Sequence, residues 1–135
     1  MIFKDNRHEN AFYQILDKMQ LRSSDPERVA LAYLLALNED CCMHINALYD
    51  FDERVILPEG LDQEWQTHTS LKTTRIAFNL YNGYCYDGHT YKGSDGYERD
   101  LPSEYYSPVH LFACSDAPYF WQAIKIRYPE YTEED

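Results

Sequence analysis

Trp65–Gly83, WQTHTSLKTTRIAFNLYNG, is the stretch on which the fold class turns. Thr69 or Ser70 can cap a helix start, and Asn82-Gly83 can end it in a left-handed turn. Between them, Leu71, Thr74, Ile76, Ala77, Phe78, Leu80 and Tyr81 occupy nearly the whole circumference at helical period. Only Lys72, Arg75, Asn79 and Asn82 fall together, on one narrow polar arc. A helix with that distribution is packed on most sides, so the chain reads as a helical domain built around it.

The segments upstream read the same way. Asp5 or Asn6 caps a first helix, whose apolar face is Phe12, Ile15, Leu16 and Met19. Ser23, Ser24 and Asp25 interrupt it. Asp25-Pro26 opens a second helix to Leu37, apolar all round from Val29 onward, which predicts the centre of the core. Asn38-Glu39-Asp40 starts a third, carrying Cys41, Ile45, Leu48 and Tyr49 and ending near Asp50. Val55-Ile56-Leu57 reads as a short strand or an extended tether, and Pro58-Glu59-Gly60 as a turn.

Downstream, residues 84–107 have no helical period. They are rich in Tyr and Gly, with Asp87-Gly88 as the expected hairpin turn. A segment of that length is either functional or a decorative insertion. Ser107-Pro108 starts a short helix to Cys114, and Ser115-Asp116-Ala117-Pro118 caps a last one, Tyr119 to Tyr128. Its main apolar side is Phe120, Trp121, Ile124 and Tyr128. Residues 129–135 are expected to be an acidic tail. The expected fold is therefore mainly α: one compact domain, residues 1–135, of five or six helices with a small β-hairpin.

The formal net charge is −11, from 23 acids against 12 bases. Such a surface repels phosphate backbones, which disfavours direct nucleic-acid binding, and it suits docking onto a basic protein surface. Acidity also serves solubility alone. The four cysteines, Cys41, Cys42, Cys85 and Cys114, include no C-x-x-C pair. The beginning, MIFKDNRHEN, lacks a basic region followed by an apolar run, and Val29–Leu37 is too short to cross a bilayer. The expectation is a cytoplasmic protein with reduced thiols and no membrane contact. No feature sets an oligomeric state.

Three kinds of chemistry can be set against these residues. Cys41 and His44 are three apart on one expected helix, and His110 and Cys114 four apart on another. Two such pairs could form a tetrahedral zinc site, although the spacing is not a known zinc pattern and the cysteines also fit plain packing. No nucleophile elbow, phosphate-binding Gly loop, H-E-x-x-H or calcium loop is present, so no catalytic residue is assigned and no cofactor is expected. The third candidate is Arg75, set among Leu71, Ile76 and Phe78. A half-buried guanidinium needs an acid partner, such as Asp50, Asp52 or Glu53, or an anionic ligand. In the ligand case Trp65, Gln66 and Thr67 precede the helix as a stacking ring and hydrogen-bonding groups. Trp65 and Tyr81 then wall a pocket, with Lys72, Arg75, Asn79 and Asn82 as its polar side.

Residues 48–83, LYDFDERVILPEGLDQEWQTHTSLKTTRIAFNLYNG, carry a family likeness, together with PYFWQAIKIRYPEY (118–131) and MIFKDNRHENAFY (1–13). They resemble an uncharacterised domain-of-unknown-function family of Gram-positive gut bacteria, their phages and mobile elements. The resemblance implies a setting and supplies no activity, cofactor or catalytic residue. Small acidic proteins in that setting commonly act by binding a host protein, including defence components.

Two functions follow as expectations, with a Cys/His- or metal-dependent enzyme as the third. The first is a non-enzymatic protein that binds and modulates a host protein, inhibiting a defence system. Tyr84, Tyr86, Tyr91, Tyr97, Tyr105 and Tyr106 form its contact surface. The second is a protein that sequesters a small, nucleotide-like anion at Arg75.

Overall fold

The structure is a computed structural model and describes residues 1–21 and 24–132. Four longer helices make the body: α1 (Asn6–Met19), α2 (Pro26–Leu37), α4 (His68–Asn82) and α6 (Ala117–Arg127). Three short ones, α3 (Glu39–Met43), α5 (Pro108–Leu111) and α7 (Pro129–Thr132), join or extend them. Two small antiparallel sheets complete the fold: β1 (Tyr49–Asp50) with β2 (Val55–Ile56), and β3 (Tyr86–Lys92) with β4 (Glu98–Pro102). The mainly α single domain with a small hairpin is the fold expected from the sequence.

Helix α2 is the core. The Asp25 carboxylate accepts from the Arg28 N–H, Pro26 stands in the first turn, and every residue from Ala30 to Leu37 is buried. Helices α1, α4 and α6 pack around it. Burying Leu31, Leu34, Leu35 and Leu37 contributes about 1.5–3 kcal/mol each.

The chain before α1 acts as a strap. Ile2 N–H donates to Gln122 Oε1 at 3.0 Å, the Tyr33 hydroxyl donates to Ile2 O at 2.7 Å, and Lys4 Nζ meets Asp116 Oδ1 at 3.0 Å. Asp116 stands at the N-cap of α6, but its carboxylate makes no cap bond there and takes Lys4 instead.

Arginines from other elements close three helix C-termini. Arg54 donates to Met19 O at the end of α1, Arg7 to Ala36 O and Leu37 O at the end of α2, and Arg127 to Leu80 O near the end of α4. The last carbonyls of a helix have no intrahelical donor, and a cation there also complements the helix dipole.

Several expectations are corrected. Helix α4 starts two residues early, with Thr67 as its cap in a reciprocal box with Ser70. The third helix stops at Met43. The chain then makes a 3-10 turn, Ile45–Ala47, and enters β1, so Leu48 and Tyr49 are buried from non-helical backbone. Asp87-Gly88 is not the hairpin turn. The chain reverses at Gly93–Gly96, and Gly88 sits where the register shifts between Tyr86 and Thr90, at φ 83°. The short helix after Ser107 ends at Leu111. Trp121 is 58% exposed, while Phe120 and Ala123 turn inward. Ser23 and residues 133–135 of the expected acidic tail lie outside the described residues; the start of that tail, Pro129–Thr132, is helical. Among the described residues, no helix is long and apolar enough to cross a membrane.

Candidate functional site

Arg75 lies on the outer arc of α4, and the chain that returns after the hairpin covers it. Its Nε donates to Asp87 Oδ1 at 3.4 Å, both side chains being largely buried (17% and 15% exposed). The partner is therefore an acid, but Asp87 from β3 rather than Asp50, Asp52 or Glu53. Asp87 is held in turn by the Ser103 hydroxyl, which donates to its second oxygen. The Tyr105 ring lies over the guanidinium, 5.0 Å from Cζ to centroid, within cation–π range.

Around this pair two hollows adjoin. The first, about 220 Å³, is lined by His68, Lys72 and Arg75 of α4, Tyr105, and Val109 and His110 of α5. Helical spacing puts the three α4 residues on one face, and the packing of α5 against α4 closes the opposite wall. Lys72 reaches across to donate to Ala113 O at 3.1 Å, in an exposed bond. The second hollow, about 330 Å³, is lined by Asp87, His89, Leu101, Pro102, Ser103, Glu104 and Tyr105. Tyr105 and the Arg75–Asp87 pair separate the two. The first offers cations and imidazoles. The second offers carboxylates and apolar surface.

The remaining ligand-site candidates point elsewhere. Trp65 stacks flat on His44, ring centroids 4.4 Å apart, and its buried Nε1 has no hydrogen-bond partner. Gln66 bridges Gly60 O, Thr74 and Ser70, and Thr67 caps α4. Asn79 donates to Tyr84 O, and the Asn82 side chain accepts from Tyr84 N–H. Tyr81 donates to Arg54 O beside Arg28. Trp65 precedes the first turn of α4 and Tyr81 lies in its last, each against different partners, so they do not wall one pocket. Lys72 and Arg75 are the two members that share a cavity. No sequence signal marks His68, Val109 and His110 for a ligand pocket, because only the tertiary fold brings residues 68–75 against residues 105–110.

The six tyrosines divide equally. Tyr84, Tyr86 and Tyr106 are half-buried: Tyr84 packs edge-on to Phe78 and Tyr86, and the Tyr106 hydroxyl donates to Tyr86 O at 2.9 Å. Burial raises the Tyr106 pKa above its ordinary value. These three seat the hairpin on α4. Tyr91, Tyr97 and Tyr105 are exposed at 44%, 70% and 49%.

The zinc arrangement does not form. Cys41 points at Ser70 O and Thr74 Oγ1, whereas His110 lines the hollow on the far side of α4. Cys114 donates to Leu111 O, and among the described residues no three His, Cys, Asp or Glu side chains gather. Burial pushes the Cys41 thiol up to about 12, opposite to the shift a nucleophile or metal ligand needs. Ser107 Oγ lies 3.4 Å from His110 Nδ1, a long contact within one turn.

No curated protein and no solved structure matches the chain. The model of a family of unknown function, DUF6075, matches residues 1–135, and the chain belongs to that family.

Proposed function

We propose that this is a protein-binding module whose projecting hairpin is the contact element. One observation carries the reading: from His89 to Pro102 every residue except Gly93 is exposed, on both faces of the two strands. A two-stranded hairpin with no packed face is marginal in water, and it contributes almost nothing to the core of this chain. It carries Tyr91, Tyr97 and Leu101 outward, and tyrosine is favoured in contact surfaces. Both outer strand edges are open for a partner strand.

The charge selects the partner. A chain of net charge −11 is drawn to a basic protein surface, faster at low salt. In the phage and mobile-element setting that the resemblance implies, the partner is a host protein and the outcome of binding is inhibition, with defence components the first to assay.

The test replaces Tyr97 with a photo-crosslinking residue in the producing cell and identifies what is captured. The pair is then rebuilt from purified components with wild type and the Tyr91→Ala/Tyr97→Ala double variant. Loss of binding with an unchanged melting temperature supports the reading. Equal binding by the double variant sinks it.

A further inference from the structure

Beyond protein binding, we propose that the paired hollows at Tyr105 form a site for a small phosphomonoester with its phosphate on α4. The phosphate would sit between His68, Lys72, Arg75 and His110, which line the 220 Å³ hollow together. Among the described residues, the Arg75 guanidinium is engaged through Nε alone, on Asp87. The two terminal nitrogens keep a fork that matches a phosphate edge. The Tyr105 ring, 5.0 Å from Cζ to centroid, backs the guanidinium on one side. Lys72 is tethered by one exposed bond to Ala113 O and can exchange it for a phosphate oxygen.

Two further features argue for a ligand rather than a plain structural ion pair. One is scarcity: the chain has 12 bases against 23 acids, and Arg7, Arg54 and Arg127 are engaged on helix carbonyls. To line one hollow with Lys72, Arg75 and two imidazoles runs against that composition. The other is size. At about 220 Å³ the cationic hollow takes one anionic group, while the adjoining 330 Å³ hollow has room for the rest of a molecule. That second hollow offers Leu101 and Pro102 as apolar surface, with Asp87 and Glu104 as hydrogen-bond acceptors. It suits a ring bearing hydroxyl or amino donors. A nucleoside 5′-monophosphate with an amino-bearing base has that chemistry, and its single phosphate fits within the one cationic hollow, whereas a polyanionic backbone would run out over the acidic surface.

The experiment is a calorimetric titration of the full chain with adenosine 5′-monophosphate, inorganic phosphate and adenosine, at matched ionic strength. It is repeated with the His68→Ala/Lys72→Gln double variant, whose replaced side chains hold no part of the core. The expected result is saturable binding of the nucleotide, weaker binding of phosphate, none of adenosine alone, and at least a tenfold loss in the double variant. Arg75→Lys, which keeps a charge for Asp87 but removes the fork, should weaken the nucleotide as well. Absence of saturable binding by both phosphate and the nucleotide overturns the proposal. So does binding that both variants leave unchanged. Phosphate bound as tightly as the nucleotide overturns the role of the second hollow.

Discussion

Arg127 Nε donates to the Leu80 carbonyl at 2.7 Å, joining the end of α6 to the last turn of α4 across 47 residues of sequence. The same guanidinium meets Glu27 of α2 at 3.6 Å, so one side chain ties three helices together. The bond satisfies a carbonyl that the Gly83 turn leaves open, and it is charge-assisted, which is the stronger kind.

Arg127→Gln is therefore expected to destabilise the domain by about 1–2 kcal/mol. That is a drop in melting temperature of about 3–6 °C per kcal/mol for a domain of this size. Arg7→Gln, which opens the end of α2 at Ala36 and Leu37, should cost a similar amount. Lys18→Gln is the control: among the described residues its ammonium meets just the Phe51 ring, and its removal should leave the midpoint nearly unchanged. Thermal unfolding of the three variants checks the order.

Gly60→Ala tests a close approach that composition does not reveal. A Cβ at Gly60 would meet the Ala47 carbonyl oxygen and lie 2.6 Å from Leu48 Cδ2. The first neighbour is backbone and cannot rotate away. The expected cost is about 1–3 kcal/mol, typical of overpacking a tight contact. Gly83→Ala meets no atom within 4 Å, but it forces alanine to φ 82° at the end of α4. Denaturant unfolding should show both variants with lowered midpoints and unchanged slopes.

These two glycines show what could be read from the sequence. Asn82-Gly83 ends a long helix by a local rule, and Asp25-Pro26 starts one by another, so both boundaries were legible. Where several residues can do the same job, the local rules point to the wrong ones: Thr69 or Ser70 for the cap and Asp87-Gly88 for the turn. Thr67, Thr69 and Ser70 can all cap α4; Thr67 does so because Ser70 closes the box and is itself held by Gln66, which reaches Gly60 O. Two Asp-Gly pairs could turn the hairpin. The second does, while Asp87 is taken by Arg75 and Ser103. Cys41, Ile45, Leu48 and Tyr49 keep a helical spacing that predicts a longer third helix, although the backbone leaves the helix at His44. At the site, the need of Arg75 for an acid was legible from its apolar neighbours. Its hollow was not, since α5 and the Tyr105 turn are placed by packing alone.

Thiol reactivity follows the burial of the four free cysteines. Cys42, Cys85 and Cys114 are partly exposed, whereas Cys41 is fully buried, with its pKa pushed up to about 12 by burial. Native protein treated with a maleimide at pH 7 is expected to take up three labels over time and to leave Cys41 unmodified. A fourth label should appear only with unfolding. Mass spectrometry of the digested protein checks the position, and early labelling of Cys41 would contradict the packing of α3 on α4.

The buried imidazole of His8 gives the fold a pH dependence of known sign. His8 is wholly buried; its Nδ1 accepts from Lys4 N–H at 3.1 Å, so its Nε2 carries the proton and donates to Tyr33 O at 2.9 Å. Both ring nitrogens are satisfied in the neutral form. A second proton would place Nδ1–H against the Lys4 N–H, in a site stripped of water. Burial accordingly lowers the His8 pKa below 6.5, outweighing the Tyr33 carbonyl, which acts in the opposite direction. The unfolded chain therefore binds more protons than the folded one around and below pH 6.5. The stability this residue contributes is complete above that value and is lost as the pH falls through it towards the folded pKa. The slope for one proton cannot exceed about 1.4 kcal/mol per pH unit. Because 23 carboxyl groups also titrate at lower pH, the measurement is a difference: denaturant unfolding of wild type and His8→Gln between pH 7.5 and 5.5. Glutamine can keep the bond to Tyr33 O without titrating. Wild type should lose stability relative to the variant as the pH falls; parallel curves would show that His8 binds its proton equally well folded and unfolded, and a relative gain by wild type that the folded state favours the charged ring.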